Sequence, residues 1–115
     1  RVDNRGGVHN HAEFTRVIPF NDLDALEQAL NDRQVALLLA EPALTNFGLV
    51  PPDTDFWQHA QALCQRHGTL LALDETHTLS SGVGGYGRMH ALQPDFWVAG
   101  KAVAGGLPCG LYGFT

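Results

Sequence analysis

Three short apolar runs, each closing on a residue that can carry charge, constrain this chain more than anything else in it. Val35 to Ala40 stops at Glu41, Leu70 to Leu73 stops at Asp74, and Phe96 to Ala99 stops at Gly100-Lys101. Unbroken apolar runs of this length suit strands, and the first two read as strands covered on both faces, as parallel sheets require. Helical patterns lie before and between them. Asn21 or Asp22 can cap a helix with Leu23, Leu26 and Leu30 on one face. Asp53 is placed to cap a second helix, with Phe56, Ala60, Leu63 and Cys64 at helical spacing and Gly68 as its terminator. Thr15 to Pro19 reads as a further short strand, residues 88 to 93 as a short helix, and residues 110 to 115 as a last strand. The alternation predicts an α/β fold with a mostly parallel sheet and flanking helices. In such sheets the ligand crevice lies beyond the carboxyl ends of the strands. Glu41, Asp74 and Lys101 are therefore expected to share one site.

Composition narrows the function. The net charge of −5 disfavours nucleic acid and anionic membrane surfaces, which attract basic patches. The longest apolar run, Val35 to Ala40, is far short of the roughly 20 residues that span a bilayer. Residues Arg1 to Arg5 contain no apolar core of a signal peptide, and two cysteines, Cys64 and Cys109, make no disulfide framework. A reducing cytoplasm is the expected location. The chain opens in a polar stretch without Met and stops in the apolar Leu111-Tyr112-Gly113-Phe114-Thr115. It is expected to be a piece of a larger protein.

Of the seven basic residues six are Arg, and the one Lys is Lys101, flanked by Val98-Ala99-Gly100 and Ala102-Val103-Ala104-Gly105-Gly106. Small neighbours let a flat ligand approach, and a desolvated lysine is a nucleophile. The plain alternative is an exposed lysine on a glycine loop. Asp74 closes an apolar strand, where a carboxylate is costly to bury without a cation. A protonated pyridine nitrogen would serve, and so would a plain capping role toward the following loop. His77 follows in Asp74-Glu75-Thr76-His77-Thr78. Metal binding by Asp74, Glu75 and His77, with His9 and His11, is a rival reading without metal-ligand spacing to support it. Gly82-Val83-Gly84-Gly85-Tyr86-Gly87 matches the dinucleotide pattern G-x-G-x-x-G, but it neither follows a strand directly nor opens a long helix. A nucleotide-binding oxidoreductase using that loop is the main enzyme alternative.

From about residue 35 to 115 the chain resembles the class III (ornithine/GABA-type) aminotransferase family of the type I fold that binds pyridoxal 5'-phosphate (PLP), and within it the glutamate-1-semialdehyde aminomutase branch. The resemblance rests on Ala40-Glu41-Pro42, Asn46-Phe47-Gly48, Pro51-Pro52, Leu71-Ala72-Leu73-Asp74-Glu75, Pro94-Asp95, Gly100-Lys101 and Gly105-Gly106-Leu107-Pro108-Cys109-Gly110, in that order. Ile18-Pro19-Phe20-Asn21-Asp22 is a weaker match.

The resemblance implies an enzyme that moves an amino group, with Lys101 as the Schiff-base lysine and Asp74 on the pyridine nitrogen. It implies Thr76 against the ring face, His77 and Asn46 near the ring hydroxyl oxygen, and Glu41 at the edge of the substrate pocket. It further implies a homodimer acting on small-molecule amino donors and acceptors. On this reading residues 1–115 are part of the large PLP-binding domain, without the upstream phosphate-binding segment or the small C-terminal domain, and inactive alone. Where the family commonly has Val and then Gly-Phe-Arg after Asp-Glu, this chain has Thr76-His77-Thr78-Leu79-Ser80-Ser81. That departure bears on the substrate more than on the cofactor. A non-catalytic relative that keeps the fold as a binding module is the third reading.

Overall fold

The first helix shows how local sequence sets an element. In helix α1 (Leu23–Leu30) the Asp22 carboxylate accepts the Ala25 N–H at 2.8 Å, satisfying one of the orphan donors of the first turn. Its face bearing Leu26 and Leu30 is buried. The fold is known here from a computed structural model that describes residues 13–115. Strand β1 (Leu37–Ala40) follows, then helix α2 (Phe56–His67), strand β2 (Leu70–Asp74), the short helix α3 (Gly85–Met89), strand β3 (Phe96–Ala99) and strand β4 (Leu111–Phe114). Single 3-10 turns occupy Thr78–Ser81 and Lys101–Ala104.

The four strands form one sheet in the order β1-β2-β3-β4. β1, β2 and β3 run parallel, with Ala40 opposite Leu73 and Asp74 opposite Val98. β4 returns antiparallel to β3, with Ala99 opposite Leu111. Asp95 sets this register: its carboxylate accepts the Leu71 N–H at 2.8 Å and its carbonyl accepts the Thr115 N–H at 3.0 Å. The expected mostly parallel α/β sheet is thus present.

The core gathers Leu26 and Leu30 of α1, Phe56, Trp57, Ala60 and Cys64 of α2, Leu71 and Leu73 of β2, and Leu92. Trp57 is fixed by its indole N–H, which donates to the Pro42 carbonyl at 2.8 Å. Burying side chains of this size contributes about 1.5–3 kcal/mol each. Gly68 ends α2 at φ 74°, a left-handed angle that glycine adopts without a Cβ penalty.

Four expectations need correction. Thr15 to Pro19 is not a strand; it crosses the end of α1, with Arg16 bonded to Asp32 and to the Ala29 carbonyl, and Ile18 in the core. Asp53 does not cap α2. Its carbonyl takes the Phe56 N–H in a preceding turn, and Asp55 is the boundary residue. The short helix comes earlier than residues 88 to 93, beginning at Gly85. β1 is covered on one face, because the core helices pack against the side bearing Leu38 and Ala40; Leu37 and Leu39 on the other side are 42% and 62% exposed.

Candidate functional site

Parallel strands deliver their ends to one edge. Glu41, Asp74 and Lys101 lie there, after β1, at the end of β2 and after β3. Glu41 follows Ala40, whose partner Leu73 precedes Asp74, so the two carboxylates share a row. Lys101 comes three residues beyond Val98, the partner of Asp74. The amine and the carboxylate thus belong to adjacent strand ends, as the sequence predicts.

Asp74 is half-buried, and its Oδ1 accepts the Thr76 N–H at 2.9 Å. This is the loop-capping role. It does not compete with a cation, since a carboxylate has about four lone-pair positions. Thr76 packs toward Gly100: a Cβ there would lie 3.5 Å from its methyl carbon. The residue before Lys101 thus lies next to the residue two after Asp74. Lys101 itself is held at φ 48°. Left-handed backbone costs a non-glycine residue about 1–2 kcal/mol and concentrates at functional positions. Asn21, Arg33, Asp55 and Ala91 share the angle near helix ends, and Lys101 adopts it where β3 gives way to the 3-10 turn Lys101–Ala104. Its side chain is exposed, so the described residues do not supply the desolvation expected of a nucleophilic lysine.

Glu41, Asn46 and His77 are brought together by Thr45, a residue the sequence gives no reason to single out. The Thr45 hydroxyl donates to Glu41 Oε2 at 2.7 Å and lies 2.6 Å from His77 Nδ1. Asn46 Nδ2 donates to Glu41 Oε1 at 3.2 Å.

Glu75, named in the sequence only as a possible metal ligand and as part of the Asp74-Glu75 match, has a different role. It is 1% exposed. Its carboxylate accepts the N–H groups of Tyr86 and Gly87 at 2.7 and 2.9 Å and the Thr78 hydroxyl at 3.2 Å. A Cβ on Gly85 would stand 2.4 Å from Glu75 Oε2, and one on Gly87 would stand 2.7 Å from Oε1. The G-x-G-x-x-G pattern is therefore a clasp on an internal carboxylate. Two of its N–H groups are already engaged by a negative charge, which is the opposite of a phosphate cradle. Glu75 turns into this clasp while His77 meets Thr45, so Asp74, Glu75 and His77 do not converge. Among the described residues no group of three or more His, Cys, Asp or Glu is placed to hold a metal. His9 and His11 lie outside the described residues.

Two surface hollows lie away from this edge, one at Asp53, Trp57 and His90, the other at Gly84, Pro94 and Trp97. Neither is lined by Asp74 or Lys101.

The sequence profile of the aminotransferase class-III family matches residues 8–113. A glutamate-1-semialdehyde 2,1-aminomutase of Caldivirga maquilingensis is 36% identical over 111 residues, covering 94% of this chain and 26% of that protein. A crystal structure of a glutamate-1-semialdehyde aminomutase from Pseudomonas aeruginosa superposes with a TM-score of 0.88 at 48% identity, covering 100% of this chain and 26% of that one. A variant of that enzyme solved in complex with PMP gives the same TM-score at 47% identity, with the same coverage. With its strand-end lysine and carboxylate on a mostly parallel sheet, the chain belongs to the class III aminotransferase family. Its relatives in sequence and structure include glutamate-1-semialdehyde aminomutases, and it spans about a quarter of their length.

Proposed function

We propose that the full-length protein is a PLP-dependent aminotransferase or aminomutase of the glutamate-1-semialdehyde aminomutase kind, with Lys101 as the cofactor-holding lysine. One observation carries the reading: in a class III family member, the chain's one lysine and Asp74 end adjacent parallel strands at the ligand edge of the sheet. The donor set fits the cofactor. Lys101 offers a primary amine to its aldehyde, and Asp74 offers a carboxylate to its ring nitrogen. When bound, PLP supplies an electron sink for the charge left on carbon as a proton departs.

The chain's own residues do the rest. Lys101 Nζ, as a free amine, would take the proton from a substrate carbon and hand it on to a second carbon, acting as base and then as acid. Asp74 would pair with the ring nitrogen and favour its protonated form, as an opposite charge does. Thr76 supports the ring face, His77 and Asn46 engage the ring hydroxyl oxygen, and Glu41 borders the substrate. Residues 1–115 form part of the large domain, and the stretch by itself binds cofactor weakly and turns over nothing. The same reading makes the whole protein a cytoplasmic homodimer acting on small-molecule amino donors and acceptors.

The test uses the full-length protein. Borohydride treatment abolishes the yellow absorbance and leaves a pyridoxyl group on Lys101, located by peptide mass spectrometry. A Lys101→Ala protein that keeps the absorbance, or a label on another residue, ends the assignment.

A further inference from the structure

The hydrogen bonds through Thr45 have a forced direction. A threonine hydroxyl owns one proton, and a carboxylate only accepts. With Oγ1 at 2.7 Å from Glu41 Oε2, that proton goes to Glu41. The 2.6 Å contact between Oγ1 and His77 Nδ1 must then be supplied by a proton on Nδ1. The other carboxylate oxygen takes the Asn46 amide at 3.2 Å, so Glu41 is an acceptor on both sides. Thr45 is anchored as well. It follows Leu44, whose N–H and carbonyl both bond to Val50 at 2.9 Å, closing the neck of the loop, and it comes two residues after the buried Ala43.

We infer that Thr45 is a positioning residue: held against Glu41, it locks a proton on His77 Nδ1 and leaves Nε2 as the one ring nitrogen able to take up, give or share a proton with a ligand. In the neutral ring Nε2 is then the lone-pair atom, and in the charged ring Nδ1 keeps its proton, so every change falls on Nε2. The His77 side chain is 29% exposed at the strand-end edge. It follows Thr76, which packs toward the residue before Lys101. The ligand chemistry that matches is an ionisable hydroxyl on a flat ring. That last step rests on the function proposed above; the tautomer does not.

The experiment is long-range proton–nitrogen NMR on full-length, cofactor-free protein labelled with 15N-histidine, recorded where the ring is neutral. The His77 signals are assigned by their loss in His77→Gln. The wild-type spectrum is expected to show Nδ1 as the protonated nitrogen and Nε2 as the bare one. Thr45→Val shifts the pattern toward the other tautomer, and Thr45→Ser restores it. A wild-type ring protonated on Nε2, or a Thr45→Val spectrum identical to wild type, overturns the inference. Because no cofactor is present, neither result depends on the borohydride labelling of Lys101.

Discussion

Residues 82–87 and residues 100–106 are both glycine-rich, and both belong to connections that leave the carboxyl edge of the sheet. They differ in what glycine is for. In the first stretch Gly85 and Gly87 exist because a buried carboxylate occupies the space a Cβ would need. In the second, Gly105 has open space around it and a φ of 60°, so only the backbone angle calls for glycine. The first stretch is locked from inside by Glu75; the second carries an exposed Lys101. The stretch that matches a nucleotide-binding pattern is scaffold, and the other holds the amine proposed to carry the cofactor.

Substitutions in full-length protein can break this contrast. Lys101→Arg keeps the charge but removes the primary amine. Turnover is expected to fall by roughly 10²–10⁴-fold, the usual size of an acid–base contribution. Urea unfolding should move by no more than about 0.5 kcal/mol, as for an exposed position. A large loss of stability would show Lys101 to be structural. Gly87→Val is expected to do the reverse to the fold, costing about 3 kcal/mol in the same unfolding measurement, because Glu75 loses a charge-assisted hydrogen bond in a buried setting. Gly105→Ala should cost about 1 kcal/mol, the penalty of left-handed backbone with a Cβ and no clash. Equal costs at Gly87 and Gly105 would erase the distinction.

The smallest effect concerns the two thiols. Cys109 is exposed beside the second stretch, and Cys64 is buried under β2. Burial first, and the nearby Asp95 carboxylate second, push the Cys64 thiol up to about 11. A thiol reagent near neutral pH should modify Cys109 and leave Cys64 until the protein unfolds, as counted by mass spectrometry. The unfolded chain gives up the Cys64 proton at lower pH than the folded one. Its contribution is therefore intact below the ordinary thiol range and lost as pH climbs toward about 11.

The strands were legible because the apolar runs are short and unbroken, and their polar ends fall together at one edge of the sheet, the edge proposed to hold the site. Asp22 and Gly68 were legible because caps are local chemistry. Thr15 to Pro19 misled because a short stretch containing Val17 and Ile18 says nothing about whether a partner strand is near. Asp53 misled because three acidic or polar positions, Asp53, Thr54 and Asp55, can each begin a helix, and backbone geometry chose the last. One-sided coverage of β1 depends on which helices pack where, which no local pattern carries. Thr45, and the role of Glu75 inside the glycine loop, escaped for a related reason. Thr45 meets His77 across 32 residues and Glu75 meets Gly87 across 12, and neither separation is a helix or strand period.

β4 runs back along β3, so Ala99 and Leu111 are hydrogen-bonded neighbours at the base of residues 100 to 110. Lys101 thus rides on a closed hoop whose two feet are nailed to the same sheet. Sharing one footing ties the attachment point of the Lys101 side chain to the sheet at both ends of the connection. The role proposed for Lys101, a base that leaves one atom and returns to another, would draw on that division between a hinge and a free reach.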